Sequence, residues 1–140
     1  MDNPGQRRWL VLAAAEGPDP GGVAKLRELL ESHGLQPDSM LNLPVIGGEV
    51  TPVESAWLGP GAHTPYFQVH GISANLAQCR LLFDVAVTGR LLIGVEPGPP
   101  HAIICAGVLD PEDYFEDPDE YCLVDTPEQL HESLCPTRLT

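Results

Sequence analysis

The stretch 73–88, SANLAQCRLLFDVAVT, decides how the rest of the chain can fold. The nine apolar residues between positions 76 and 87 lie around most of a helical circumference, and only Arg80, Asp84 and Thr88 form a polar stripe. Ser73 is a suitable N-cap, and Gly89 follows as the expected left-handed stop. Such a helix is typical of a central element with one edge in water. The stretch therefore predicts a mostly buried helix that organises the core.

Short apolar runs on either side of this helix are typical of β-strands. The first run, residues 8–14, is apolar enough to be buried on both faces of a sheet. A loop rich in glycine and proline separates residues 91–95 from residues 101–106, a spacing that favours an antiparallel hairpin. The complete set of strand-like runs is 8–14, 41–46, 50–58, 65–70, 91–95, 101–106 and 121–124.

Two further helices are indicated by their capping residues. Asp19 followed by Pro20 begins a helix that should run over residues 20–33 and end at Gly34. Thr126 and Gln129 have the spacing of a capping box, which begins a short third helix running to residue 134. Strands and helices do not alternate regularly. The sequence therefore predicts an α+β fold, with three helices on an antiparallel or mixed sheet of five to seven short strands.

Length and composition indicate a single domain spanning residues 1–140. A chain of 140 residues with 43% hydrophobic content can bury a core without disulfides or metals. No apolar run approaches the roughly 20 residues of a membrane span, and residues 10–15 are too short for a signal peptide. The four cysteines form no CxxC pair, which is typical of reduced, structural thiols. We therefore expect a cytoplasmic protein that needs no cofactor.

Negative charge is concentrated in the last third of the chain. Residues 91–137 contain eleven carboxylates and no lysine or arginine, whereas residues 1–90 contain nine acidic and six basic residues. The first ninety residues therefore contribute only −3 to the net charge of −13. A strongly negative surface repels phosphates and attracts basic groups. This distribution argues against a nucleic-acid ligand and predicts a basic protein partner.

Seven of these carboxylates lie between residues 110 and 120, together with aromatic residues. Aromatic anchors inside a charged rim are typical of tight protein interfaces. A solvated loop that only increases solubility is the alternative interpretation. The predicted partner-binding residues are Asp110, Glu112, Asp113, Tyr114, Phe115, Glu116, Asp117, Asp119, Glu120 and Tyr121.

Motifs for catalysis or metal binding are missing from the sequence. The five histidines show no HxH or HExxH spacing, and the acidic residues fit no register of an EF-hand. The chain has no GxSxG or GxxxxGK(S/T) motif, and no basic residue lies between Arg27 and Arg80 to help hold a phosphate. We therefore predict no catalytic site, no metal site and no enzymatic activity.

Three functions are compatible with these observations. The favoured one is an immunity or antitoxin-type inhibitor that occludes a basic partner enzyme, such as a bacterial toxin acting on nucleic acid or nucleotides. The second is a small-molecule-binding or enzymatic domain whose site is lined by His63, Tyr66, His70 and His101. The third is an acidic secretion chaperone, which would be an α+β dimer with an exposed apolar groove. The sequence leaves the oligomeric state open.

Overall fold

The computed structural model describes residues 8–13, 20–36, 41–54, 66–96 and 101–134. Its helices are α1 (Pro20–Ser32), α2 (Leu76–Gly89) and α3 (Pro127–Leu134). Its strands are β1 (Arg8–Ala13), β2 (Val45–Ile46), β3 (Glu49–Val50), β4 (Val53–Glu54), β5 (Tyr66–Ile72), β6 (Leu92–Glu96), β7 (Ala102–Cys105) and β8 (Tyr121–Val124). Two 3₁₀ turns, Pro111–Asp113 and Pro118–Glu120, lie between β7 and β8.

Six strands form one mixed sheet in the order β4-β5-β1-β6-β7-β8, and β2 pairs with β3 in a separate hairpin. Every pairing in the larger sheet is antiparallel except that of β7 with β8, which is parallel. The predicted α+β fold with three helices is confirmed, and so is the antiparallel hairpin formed by β6 and β7.

The two faces of this sheet differ in burial. Leu10 and Leu12 of β1 are fully buried, and one core cluster joins them to side chains from all three helices. We call this side the helix face. Trp9 alternates with them, so it lies on the opposite side, which we call the open face, and it is 45% exposed. The prediction that β1 is buried on both faces is wrong, because an antiparallel sheet can leave one face in water.

Helix α2 is the centre of the helical layer, as predicted. It packs between α1 and α3, and it also contacts β7. Cys79, Leu82 and Val85 are buried on its inner side, whereas Arg80 and Asp84 are exposed along the predicted polar stripe. The wide apolar circumference therefore serves contacts with the sheet and with two neighbouring helices.

The N-terminus of α2 lies two residues later than predicted. The N-cap is Asn75, not Ser73, because Asn75 and Gln78 form a reciprocal capping box with hydrogen bonds of 2.9 Å in both directions. The Gln78 Nε2 also donates to Thr51 Oγ1 at 2.8 Å and to a Glu49 carboxylate oxygen at 3.2 Å. These contacts join the start of α2 to Glu49 in the β2–β3 hairpin and to Thr51, which follows the hairpin.

The C-terminus of α2 also differs from the prediction. Arg90, rather than Gly89, adopts the left-handed conformation, with φ of 55°. Gly89 is the last helical residue, and a Cβ there would lie 2.5 Å from Cδ1 of Leu26 in α1. Glycine at position 89 is therefore favoured by the close approach of Leu26 in α1 and not by a left-handed turn.

Helix α3 begins at the predicted residues. The Gln129 backbone N–H donates to Thr126 Oγ1 at 3.1 Å, and Gln129 Oε1 accepts from the N–H of Asp125 at 2.6 Å. The glutamine thus reaches one residue further back than in a reciprocal capping box. Leu130 and Leu134 then place α3 in the core cluster on the helix face.

Two crossover connections determine what covers each face. Both the β5–α2–β6 connection and the β7–β8 connection move the chain toward the β8 edge of the sheet. Strands β5 and β6 are parallel to each other, and they are antiparallel to β7 and β8. Crossovers between parallel strands are almost always right-handed. Two right-handed crossovers with opposite strand directions must pass over opposite faces. Since α2 lies on the helix face, the β7–β8 connection passes over the open face.

Candidate interaction surface

The connection between β7 and β8 contains the predicted partner-binding residues. We call residues 110–120 the acidic segment. It consists of the two 3₁₀ turns, and an aspartate followed by proline begins each of them. Asp110 Oδ1 accepts a hydrogen bond from the Glu112 N–H at 3.0 Å, and Asp117 Oδ1 accepts one from the Asp119 N–H at 2.9 Å. Because proline also fixes φ, these two turns give the segment a defined shape.

Every carboxylate of the acidic segment is exposed to solvent. Across the part of the chain that the structure describes, none of them forms an ion pair with a basic side chain. Water and dissolved ions, rather than protein cations, therefore screen their mutual repulsion. The members of this group are Asp110, Glu112, Asp113, Glu116, Asp117, Asp119 and Glu120.

The three predicted aromatic anchors are half-buried rather than fully exposed. Phe115 stacks on Tyr121 with ring centroids 5.2 Å apart and an angle of 26° between the rings. Tyr121 is paired in register with Ala102 of β7, and its side chain lies on the open face. Tyr114 is half-buried next to Phe115. The stacked rings therefore hold the acidic segment against the sheet and still present part of their surface to solvent.

Apolar residues of β7 are buried on the open face as well. Ile103 pairs with Ile93 on the helix face, so the adjacent Ile104 lies on the open face, yet both isoleucines are fully buried. Ile104 is not part of the core cluster that contains the helices. We infer that the β7–β8 connection, which includes the acidic segment, covers Ile104 on this half of the open face.

The residues of the alternative small-molecule site are not brought together by the described structure. His63 lies outside the described residues, and Tyr66 begins β5. His70 is on β5, whereas His101 immediately precedes β7, and β1 and β6 lie between them. Three strand spacings separate the two histidines by roughly 14 Å.

His70 instead forms a small cluster that the sequence reasoning missed. Its ring packs against Trp9 with centroids 4.8 Å apart and an angle of 50° between the rings. Its Nε2 lies 3.1 Å from Glu54 Oε1, close enough for an ion pair but without the alignment of a hydrogen bond. The period-two alternation of β1 and β5 was the available signal, because it places Trp9 and His70 on the face opposite Leu10 and Val69.

The described cysteines lie in structural positions. Cys79 is fully buried, and its Sγ lies 3.3 Å from the Ala74 carbonyl and 4.0 Å from His131 Nδ1. Burial raises the pKa of Cys105 to about 12, with a smaller contribution from Cys122. The thiols of Cys79 and Cys105 are shielded from solvent. Cys135 lies outside the described residues. Among the residues with described positions, no group of three His, Cys, Asp or Glu side chains is arranged to hold a metal ion.

A second exposed region is apolar and nearly uncharged. We call Leu41, Leu43, Val45 and Val50 the apolar stripe, because their side chains are 50%, 60%, 66% and 53% exposed. Val45 and Val50 are register partners in the β2–β3 hairpin, and Leu41 and Leu43 continue the alternation before β2. The alternating pattern Leu-Asn-Leu-Pro-Val predicts a strand, but it does not indicate which side of that strand faces solvent.

Comparison with protein-family models, curated proteins and solved structures gives no match for this chain. In the described part of the chain, no helix combines the length and apolar character needed to cross a bilayer.

Proposed function

We propose that this protein is an acidic interaction domain that binds a basic partner enzyme and occludes its active site, in the manner of an immunity or antitoxin protein. The acidic segment is the central part of the binding surface. The favoured partner is an enzyme acting on nucleic acids or nucleotides, because active sites for such substrates are lined with lysine and arginine.

One observation supports this proposal most directly: the seven carboxylates of the acidic segment are exposed on a backbone of defined shape. Two capped turns and the Phe115–Tyr121 stack restrain the segment, so little conformational entropy remains to be lost on binding. A loop that served solubility alone would need the charges but not this ordering.

The electrostatic consequence is fast, salt-dependent association. Clustered carboxylates accelerate encounter with a basic surface, and the effect weakens as salt screens the charges. The half-buried rings of Phe115 and Tyr121 would add apolar contact area once the surfaces meet. The proposal does not expect nucleic acid as the ligand of the acidic segment, since its phosphates would be repelled.

The test compares two variants with the same change in charge. The segment variant carries Asp113→Asn, Glu116→Gln, Asp117→Asn and Asp119→Asn. The helix variant carries Glu28→Gln, Glu31→Gln, Glu128→Gln and Glu132→Gln, four exposed positions on α1 and α3. Affinity capture from the native organism, followed by surface plasmon resonance with the captured protein, gives association rates at several salt concentrations.

The proposal expects the segment variant to associate about ten- to a hundredfold more slowly at low salt and to lose most of the salt dependence. The helix variant should retain both properties to within a few fold. Equal effects of the two variants would mean that net charge matters and the acidic segment does not, and unchanged rates in both would contradict the proposal entirely.

The apolar stripe favours a second candidate function, that of an acidic secretion chaperone. Four aliphatic side chains on one extended surface could bind an unfolded apolar segment of a client protein. Substitution of Leu43 and Val45 by Ser would then abolish client capture, whereas the segment variant would leave it unchanged. Size-exclusion chromatography with light scattering would test the dimer that this function implies.

A further inference from the structure

The open face carries a feature that is separate from the acidic segment. The Trp9 side chain on β1 is 45% exposed, although its ring is held on one side by His70 at a centroid distance of 4.8 Å. An aromatic side chain that is fixed in position and still half accessible can contribute a large contact area at low entropic cost. Trp9 is therefore suited to contact another molecule.

One carboxylate lies beside this tryptophan, and a second lies beyond His70. Glu96 on β6 is the register partner of Trp9 and is exposed. Directly opposed residues of an antiparallel pair have Cβ atoms about 5 Å apart. On the other side, Glu54 of β4 lies 3.1 Å from His70 Nε2, so it holds the histidine that packs against the indole ring. Glu96 is therefore the acidic neighbour of Trp9.

A row of register partners connects β1 with the acidic segment. It consists of Val11, Gly94, Ala102 and Tyr121 on β1, β6, β7 and β8. Ala102 is buried, whereas Val11 and Gly94 are partly exposed. A Cβ at Gly94 would have no neighbour within 4 Å other than the Val11 carbonyl oxygen, at 3.6 Å, so there is room for a contact at this position. Three strand spacings make the row roughly 14 Å long, so one partner element can contact both Trp9 and the outer edge of the acidic segment.

We propose that Trp9 and Glu96 form a binding site for an arginine side chain of the basic partner, with His70 fixing the indole ring. The planar guanidinium stacks on the exposed side of the indole ring, and its N–H groups donate to the Glu96 carboxylate. Anions are repelled at this position, and a lysine ammonium lacks the planar surface for stacking. This inference rests on the proposed function, because it states how the same partner is recognised next to the acidic segment.

The test uses two probes of equal charge, an acetylated tetra-arginine peptide and its tetra-lysine counterpart. In a Trp57→Phe protein, Trp9 is the single tryptophan, so its emission reports contact at this position alone. We expect saturable quenching by tetra-arginine and binding about two- to fivefold tighter than that of tetra-lysine. Isothermal titration calorimetry on the unmodified protein gives the same comparison if the Trp57→Phe protein does not fold.

Substitutions separate the stacking from the charge contribution. Trp9→Ala should abolish the preference for arginine, whereas Trp9→Phe should keep part of it. Glu96→Gln should weaken tetra-arginine binding about two- to fivefold. The matched controls are Leu43→Ala, another exposed apolar residue, and Glu132→Gln, an exposed carboxylate on α3, and neither should change the affinity.

Three results would overturn the arginine site: no change in Trp9 emission, equal affinity for the two peptides, or an unaltered preference in Trp9→Ala. The segment variant distinguishes failure of this site from failure of the proposed function. If that variant binds the captured partner slowly while Trp9→Ala binds it normally, the acidic segment remains the docking surface and the arginine site is wrong. If both variants bind the partner normally, both proposals are wrong.

Discussion

The helix face and the open face are built from the same strands, yet they are covered in different ways. Apolar side chains from three helices cover the helix face, and no charged residue of the described chain is buried there. The open face is covered over β7 by the acidic segment and leaves Trp9 half exposed on β1. Because side chains alternate along a strand, neighbouring residues lie either in the core of the helix face or on the more exposed open face.

This difference has an energetic consequence. Cover by a helix depends on many apolar contacts, whereas cover by the acidic segment depends on two short turns, one pair of stacked rings and a few buried aliphatic groups. Segments with few buried contacts open at lower free energy than the core. We therefore expect the acidic segment to open locally while the helix face remains intact.

The largest effects should come from a matched pair of neighbours on opposite faces. Ile103→Ala removes a fully buried side chain from the helix face, and Ile104→Ala removes one from beneath the acidic segment. Both should lower the free energy of unfolding by about 2–5 kcal/mol, with Ile103→Ala near the upper end because the packed helices cannot close the cavity. Urea denaturation measures this difference.

Hydrogen exchange sharpens the same comparison. Ile104→Ala should accelerate amide exchange selectively in residues 110–120, whereas Ile103→Ala should accelerate it throughout the molecule. Leu123→Ala is the control, because this residue of β8 is 58% exposed and its loss should change stability by less than about 0.5 kcal/mol. Equal exchange profiles for the two isoleucine variants would mean that the acidic segment does not cover Ile104.

The fold could be predicted well where hydrophobic periodicity was long. The sixteen residues 73–88 were enough to identify the central helix, and the capping residues Thr126 and Gln129 located α3. The N-terminus of α2 was missed although Asn75 and Gln78 have the spacing of a capping box, because Ser73 also matched the N-cap preference. The C-terminus was missed because Gly89 accommodates Leu26 of α1, a contact that is not local in sequence.

The candidate surface was predictable in composition but not in arrangement. The charge pattern identified the acidic segment, and the repeated Asp-Pro pairs at positions 110 and 117 could have predicted its two turns. The stacking of Phe115 on Tyr121 depends on the parallel pairing of β8 with β7, which no local pattern indicates. The placement of Glu96 and His70 beside Trp9 likewise requires strands that are distant in sequence.

The burial of Cys105 on the helix face predicts how the free energy of unfolding depends on pH. Cys105 lies on this face next to Ile104, and burial raises its pKa from 9.0 to about 12. The thiol of the unfolded chain ionises at lower pH than the folded one, so its contribution to stability is complete below pH 9. That contribution decreases as the pH rises from 9 towards 12.

The measurement is the free energy of unfolding between pH 8 and 10.5 for the unmodified protein and for Cys105→Ala. Above pH 9 the unmodified protein should lose stability by up to about 1.4 kcal/mol per pH unit more than the variant. Parallel curves would show that water reaches Cys105 and that the helix face is less tightly covered than the structure indicates.

A smaller effect is expected from the caps of the acidic segment. Asp117→Ala removes the side-chain acceptor for the Asp119 N–H and should destabilise the segment by about 1 kcal/mol. Asp117→Ser keeps an acceptor without the charge, so it should restore most of the loss. Asp119→Ala is the control, because its side chain caps neither turn. Amide exchange in residues 118–121 distinguishes the cap from the charge, and equal exchange in the alanine and serine variants would exclude a capping role.

The smallest effect should come from the charges themselves in the free protein. The segment variant removes four of seven neighbouring negative charges whose repulsion only solvent ions screen, so it should raise the free energy of unfolding. We expect a gain of a few tenths to about 1 kcal/mol at 10 mM salt, which falls towards zero at 1 M because the screening length shortens from about 30 Å to about 3 Å. The helix variant removes as many charges from more widely spaced positions and loses the exposed contact of Glu128 with Arg80 at 3.6 Å, so its gain should be smaller. Thermal denaturation of both variants across this salt range measures the difference. If the segment variant proved less stable than the unmodified protein at low salt, the carboxylates would be stabilising the crossover, and its acidity would need no partner to explain it.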